Sequence, residues 1–146
     1  MKFLVLNGVN LNLTGKREQS VYGTQTLDDI NAEITAFCAS QGDSVDFYQS
    51  NIEGELVNKL HEAFLNKSYN AIVFNAGAYT HYSYALRDAI AAIDIPVAEV
   101  HMSNVHAREE FRKTSVLSEV CNGVVCGFGK HSYIAAICGL KGLQTK

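Results

Sequence analysis

The sequence lacks most of the features that mark a specialised class. It has one proline, no pair of cysteines in CxxC spacing, no excess of basic charge and no apolar run long enough to span a bilayer. Its four cysteines, Cys38, Cys121, Cys126 and Cys138, form no Cys/His zinc pattern. That argues against a zinc module or a disulfide framework and predicts four reduced, mostly buried thiols. A formal charge of −3 argues against nucleic acid and membrane surfaces as partners, so any cationic site must be local. The run Phe3–Leu6, broken by Asn7-Gly8, is too short for a secretory signal, and a cytoplasmic location is the expectation. No repeat, low-complexity tract or linker divides the 146 residues, of which 47% are hydrophobic. One domain over residues 1–146 with a full core is therefore expected. The single proline, Pro96, opens an apolar run, where a missing N–H does least harm.

What is present is an alternation of short apolar runs and helical stripes. Lys2–Leu6, Val45–Tyr48, Ala71–Phe74, Val97–Val100 and Gly123–Cys126 read as strands. Between them, Thr26–Gln41, Ile52–Leu65, Ser83–Ile93 and Ser132–Leu143 carry apolar residues at helical spacing. Thr26 is a candidate N-cap and Gly42 a candidate stop. This alternation predicts an α/β fold, a parallel sheet with helices on both faces. Right-handed crossovers over five strands favour a flavodoxin-like three-layer sandwich of order 2-1-3-4-5.

In that order the carboxyl ends of the first, third and fourth strands meet at the switch point, where ligands bind in open α/β sheets. All three ends are polar. Asn7–Gly23 follows the first strand as a long loop, of a size more often functional than idle. Asn75–Asp88 follows the third, and His101–Asn104 the fourth. One crevice is expected to gather Asn10, Asn12, Arg17, Tyr22, Asn75, His81, His101, Ser103 and Arg112. Ser103 and Asn104 are helix-capping types. The charged piece after them is expected to be helix-like, with Arg108 and Arg112 four apart on one face. Two guanidinium groups and free capping N–H groups suit a carboxylate or phosphate. The competing reading pairs Arg108 and Arg112 with Glu109 and Glu110 on a solvated surface.

Particular residues suggest acid–base chemistry, each with a plainer alternative. Arg17 shares a loop with Tyr22, and a nearby guanidinium draws a phenol's pKa down toward that of a working base. Otherwise Tyr22 is a packed lid residue. Glu99 and His101, two apart on a strand, share a face, so Glu99 can orient the imidazole and keep it protonated as a general acid. Otherwise His101 bonds a loop carbonyl. His81 and Asp88 are seven apart and are expected on one side of the third helix, with Thr80 or Ser83 as its cap. The plainer reading of Asp88 is a salt bridge to Arg87. A metal site from His81, His101 and His106 is disfavoured, because no carboxylate falls at ligand spacing. Gly127-Phe128-Gly129 lacks the third glycine of a nucleotide fingerprint and reads as close strand–helix packing.

Taken together, NGVNLNLTGKREQSVYG, QSNIEGEL, NAGAYTHYSYALRDA, EVHMSNVHAREEFRKTS and GVVCGFG resemble the type II 3-dehydroquinase family over almost the whole chain. The resemblance implies anti elimination of water from 3-dehydroquinate, through an enolate, to 3-dehydroshikimate in the shikimate pathway. It implies no metal or cofactor, and a homo-oligomer, a dodecamer built from trimers. Carried over, Tyr22 is the base and Arg17 holds it ionised. Asn10 helps stabilise the enolate through an ordered water. His101, oriented by Glu99, protonates the departing hydroxyl. Asn75, His81, Met102, Ser103 and Arg112 bind the substrate, and Asp88 reaches a neighbouring subunit's site. Val9, Thr14, Gln19, Ile52 and Ala76 depart from the family's pattern. Where Val9 and Gln19 stand prolines are usual, which implies a lid with more freedom. The alternative is a non-catalytic flavodoxin-like module that binds an acidic metabolite. A flavin or phosphoacceptor protein is disfavoured, because the first loop has no Ser/Thr-rich phosphate cradle.

Overall fold

The computed structural model describes residues 1–16, 20 and 23–143, so Arg17, Gln19 and Tyr22 lie outside the described residues. Five strands, β1 (Lys2–Asn7), β2 (Ser44–Gln49), β3 (Ala71–Asn75), β4 (Val97–His101) and β5 (Gly123–Cys126), pair in parallel in the order β2-β1-β3-β4-β5. Four helices flank them: α1 (Leu27–Ser40), α2 (Glu53–Leu65), α3 (Tyr84–Ala91) and α4 (His131–Leu143). This is the expected flavodoxin-like α/β arrangement.

The period of two along each strand divides the core into two layers. Phe3, Val5, Ala71, Val73, Ala98 and Val100 face one way, against Ile30 and Ile34 of α1 and Tyr133, Ile137 and Leu140 of α4. Leu4, Leu6, Ile72, Phe74 and Val97 face the other way, against Leu56 and Leu60 of α2 and Leu86 and Ile90 of α3. Strand β3 is buried along its whole length, as a central parallel strand covered on both faces must be. Helix α1 starts where the sequence predicts. Thr26 Oγ1 accepts from the Asp29 N–H at 3.2 Å, and the Asp29 carboxylate accepts from the Thr26 N–H at 2.9 Å, a capping box.

Three expectations are corrected. Helix α3 stops at Ala91 rather than Ile93: Ala92 is its C-cap, and the Ile93 N–H donates to the Ile90 carbonyl at 3.3 Å, closing the end with a tighter turn. The piece after β4 is not one helix. It is two 3₁₀ turns, Val105–Ala107 and Glu110–Lys113, with Arg108 extended between them at φ −116°. Side chains three apart eclipse in a 3₁₀ turn. The ion pairs Arg112–Glu109 (2.7 Å) and Lys113–Glu110 (2.6 Å) use that spacing. Finally, only Cys38 is fully buried; Cys121 and Cys126 are half-buried and Cys138 is exposed, all four as free thiols. Among the described residues, no helix is long and apolar enough to cross a membrane.

Candidate active site

The loops after β1 and β3 cross at the switch point and are held by backbone contact. The Gly8 N–H donates to the Asn75 carbonyl at 2.7 Å. A Cβ on Gly8 would stand 2.3 Å from the Ala76 carbonyl oxygen, and one on Gly77 2.6 Å from that of Val9. Each loop thus fills the space a side chain on the other would need. Asn10 sits in the left-handed region at φ +67°, and its N–H donates to Asn51 Oδ1 at 2.8 Å. Gln49 Nε2 donates to the Gly8 carbonyl (3.2 Å) and to Asn51 Oδ1 (3.1 Å), so the QSN segment braces the first loop from β2.

A crevice of about 100 Å³ opens above these loops, well under the roughly 300–1,000 Å³ of drug-sized sites. Asn10, Asn75, His81, His101, Met102, Ser103, Arg108 and Arg112 all line it. The two arginines therefore share the crevice although no helix aligns them. Arg108 donates to Ser103 Oγ at 3.3 Å. Arg112 Nε holds Glu109 at 2.7 Å, so the surface pairing weighed in the sequence is present beside the crevice. Asn12 lines a neighbouring cleft with Lys16 and Asn31 instead.

His81 ends a 3₁₀ turn, Gly77–His81, and its Nδ1–H donates to the Thr114 carbonyl at 2.8 Å. Ser83 caps α3 by accepting from the Leu86 N–H at 3.0 Å. His81 therefore precedes the helix, and the expectation that it shares a helix side with Asp88 is corrected. Asp88 lies on α3 with its carboxylate 77% exposed, pairs with Arg87 at 3.2 Å, and does not line this crevice. Gly127 and Gly129 are corrected as well. Their N–H groups donate to the His101 and Met102 carbonyls (3.3 and 2.9 Å), bracing the loop after β4 rather than packing a strand on a helix.

Behind the crevice wall, Glu99 accepts from His101 Nε2–H at 2.6 Å, and His101 itself lines the crevice. Glu99 is 1% exposed, yet Thr80 Oγ1 donates to its Oε1 and Ser115 Oγ lies 2.9 Å from both its oxygens. Burial pushes the Glu99 carboxyl up. The bonds from His101, Thr80 and Ser115 outweigh that and leave it below its ordinary value. The result is an interior carboxylate charge aimed at one imidazole through its Nε2. Among the described residues no group of three His, Cys, Asp or Glu side chains is placed to hold a metal ion.

Sequence reasoning missed three contributors. It offers Thr80 only as a helix cap and gives no role to Ser115, whose hydroxyl bonds Glu99. Tyr133, an ordinary apolar position on α4 by its spacing, is fully buried beneath the crevice. It accepts from Asn75 Nδ2 at 2.7 Å and donates to Asn7 Oδ1 at 2.7 Å, while burial pushes its phenol pKa up. The amide of Asn75 is thereby pinned from behind, and its Oδ1 takes the Gly77 N–H at 3.3 Å. Tyr133→Phe strands a buried donor on Asn75 and a buried acceptor on Asn7, each worth roughly 1–3 kcal/mol. Denaturant unfolding of this variant is expected to show a loss in that range or above, with no change in strand order.

A flavodoxin-like sheet with a buried carboxylate–histidine pair and two arginines at its switch point defines a class: an enzyme acting on a small anionic, hydroxylated molecule. A family model described as dehydroquinase class II matches residues 1–141, and the chain belongs to that family. It is 56% identical to the 3-dehydroquinate dehydratase of Pelodictyon phaeoclathratiforme over 145 residues, covering 99% of this chain and 95% of that one. It is 55% identical to the 3-dehydroquinate dehydratase of Rhizobium etli over 141 residues, covering 97% and 96%. The crystal structure of type II dehydroquinase from Butyrivibrio crossotus superposes with a TM-score of 0.94 at 48% identity, covering 97% of each chain.

Proposed function

We propose that the crevice eliminates water from 3-dehydroquinate to give 3-dehydroshikimate, with His101 as the acid and Tyr22 as the base. The observation that carries this reading is the Glu99–His101 pair, an interior carboxylate bonded to a crevice imidazole at 2.6 Å. The carboxylate fixes the ring through Nε2, and an acid in reach of a departing hydroxyl lowers the barrier for its loss. Tyr22, held ionised by Arg17, takes the proton beside the ketone, and the electron pair passes into an enolate. Asn10 stabilises the enolate oxygen through a water. When the enolate collapses, the C1–oxygen bond breaks and the hydroxyl leaves as water with the proton from His101. The product is a conjugated enone. Asn75, His81, Met102, Ser103 (partly through backbone N–H) and Arg112, which line the crevice together, bind the substrate carboxylate and hydroxyls.

The same reading carries an assembly of twelve copies built from trimers, in which Asp88 reaches a neighbour's crevice. Its support is the exposure of Asp88 and of the large side chains Ile52, Tyr82 and Tyr84, which are 60, 59 and 67% accessible in the single chain. Four cysteines without a disulfide fit a reducing cytoplasm.

The test follows enone absorbance with 3-dehydroquinate for the native chain and for His101→Asn. Native turnover is expected, with kcat about 10²–10⁴ lower in the variant and substrate binding by calorimetry retained. Binding without any native turnover would overturn the enzymatic reading in favour of a binding module.

A further inference from the structure

The proton inventory around Glu99 shows how the imidazole is aimed. Ser115 Oγ accepts the Leu117 and Ser118 N–H groups, both at 3.1 Å. With its lone pairs so taken, its single hydrogen points at Glu99, 2.9 Å away. Thr80, 0% exposed on the turn after β3, has Glu99 Oε1 as its short-range acceptor and lies 3.0 Å from Ser115 Oγ. Glu99 thus receives one hydrogen from each of two different loops and one from His101. All three donors meet at Oε1, and Ser115 also lies 2.9 Å from Oε2. Cys121, the titratable neighbour from the next turn, does not compete for that charge. Burial and the nearby Glu99 charge push its thiol up to about 12, so it stays neutral.

We propose that Thr80 and Ser115 are positioning residues for this reaction: they clamp the Glu99 carboxylate in the one orientation that makes His101 donate through Nε2, which turns Nδ1 to the substrate. This rests on the reading of His101 as the acid. It adds that the acid's tautomer is set by hydroxyls that touch no substrate. A carboxylate relieved of one clamp swings toward the other, and the ring it carries swings with it. Displacements on the ångström scale cost about 10²-fold in rate.

The experiment pairs kinetics with ¹⁵N NMR of histidine-labelled protein, using Thr80→Val, Ser115→Ala and the hydroxyl-bearing Thr80→Ser and Ser115→Thr. In the native chain a His101 resonance with Nε2 protonated and Nδ1 unprotonated is expected above the imidazole pKa. In Thr80→Val and Ser115→Ala that signature moves toward a tautomer mixture. There kcat falls roughly 10- to 100-fold while KM changes less than about threefold. Thr80→Ser recovers kcat and the native spectrum. Ser115 also caps a turn, so Thr80→Val, close to threonine in shape, decides the matter if Ser115→Ala does not fold. An unchanged His101 spectrum and kcat in Thr80→Val would overturn the proposal. A native chain with no turnover but with the tautomer shift in Thr80→Val would keep the clamp and overturn the acid assignment instead.

Discussion

Tyr22→Phe is expected to bind 3-dehydroquinate without turning it over at a useful rate, with kcat lower by about 10²–10⁴ and Kd within a few-fold of native. The substitution removes one oxygen and leaves the ring, so only the hydroxyl proposed as proton acceptor is lost. Free tyrosine ionises near ~10, too high for a base at neutral pH. On the proposed reading, the positive charge that favours phenolate comes from Arg17, five residues earlier in the sequence. A positioned base is worth about 10²–10⁴ in rate, which sets the expected loss. The assay is enone absorbance beside calorimetric binding. Turnover that survives in Tyr22→Phe keeps the enzyme and requires a different base.

Gly77→Ala is expected to damage both stability and binding. Gly77 has φ +62°, and an added Cβ would stand 2.6 Å from the Val9 carbonyl oxygen and 3.2 Å from Leu11. Left-handed backbone costs a residue with a Cβ about 1–2 kcal/mol. Overpacking against backbone adds about 1–3 kcal/mol, because no side chain there can rotate away. Gly42→Ala is the control: its φ is +72°, and nothing lies within 4 Å of its added Cβ. Urea unfolding should show Gly77→Ala losing about 2–5 kcal/mol and Gly42→Ala only the backbone part, about 1–2 kcal/mol. The Gly77 variant should also raise KM, since relief of the clash moves the loops bearing Asn10 and His81. Equal losses at the two sites would show that the crossing of these loops does not hold the crevice.

The order of elements and their two-faced core could be read without coordinates, because periodicity is a local property. Leu4 and Leu6 against Phe3 and Val5 announce a strand covered on both sides, and Thr26 announces a helix start. The pairing of Glu99 with His101 was equally legible, since residues two apart on a strand share a face whatever surrounds them. So was the convergence of three polar strand ends at the switch point. The family was legible too, since its motifs are contiguous stretches.

What tertiary structure decided was everything that depends on residues far apart in the chain. Arg108 and Arg112 share the crevice through two 3₁₀ turns and an extended link, not through one helix. Asp88 is exposed on α3, while His81 belongs to the turn before the helix that Ser83 caps. Tyr133 reaches Asn7 and Asn75 from 126 and 58 residues away. Thr80 and Ser115 meet Glu99 from 19 and 16 residues away. Such partners leave no periodic trace, because a hydroxyl on a loop looks the same whether it faces water or a buried carboxylate. Only packing two loops against one strand end gives Glu99 its donors, and only those donors let a charge remain in the interior beside the imidazole.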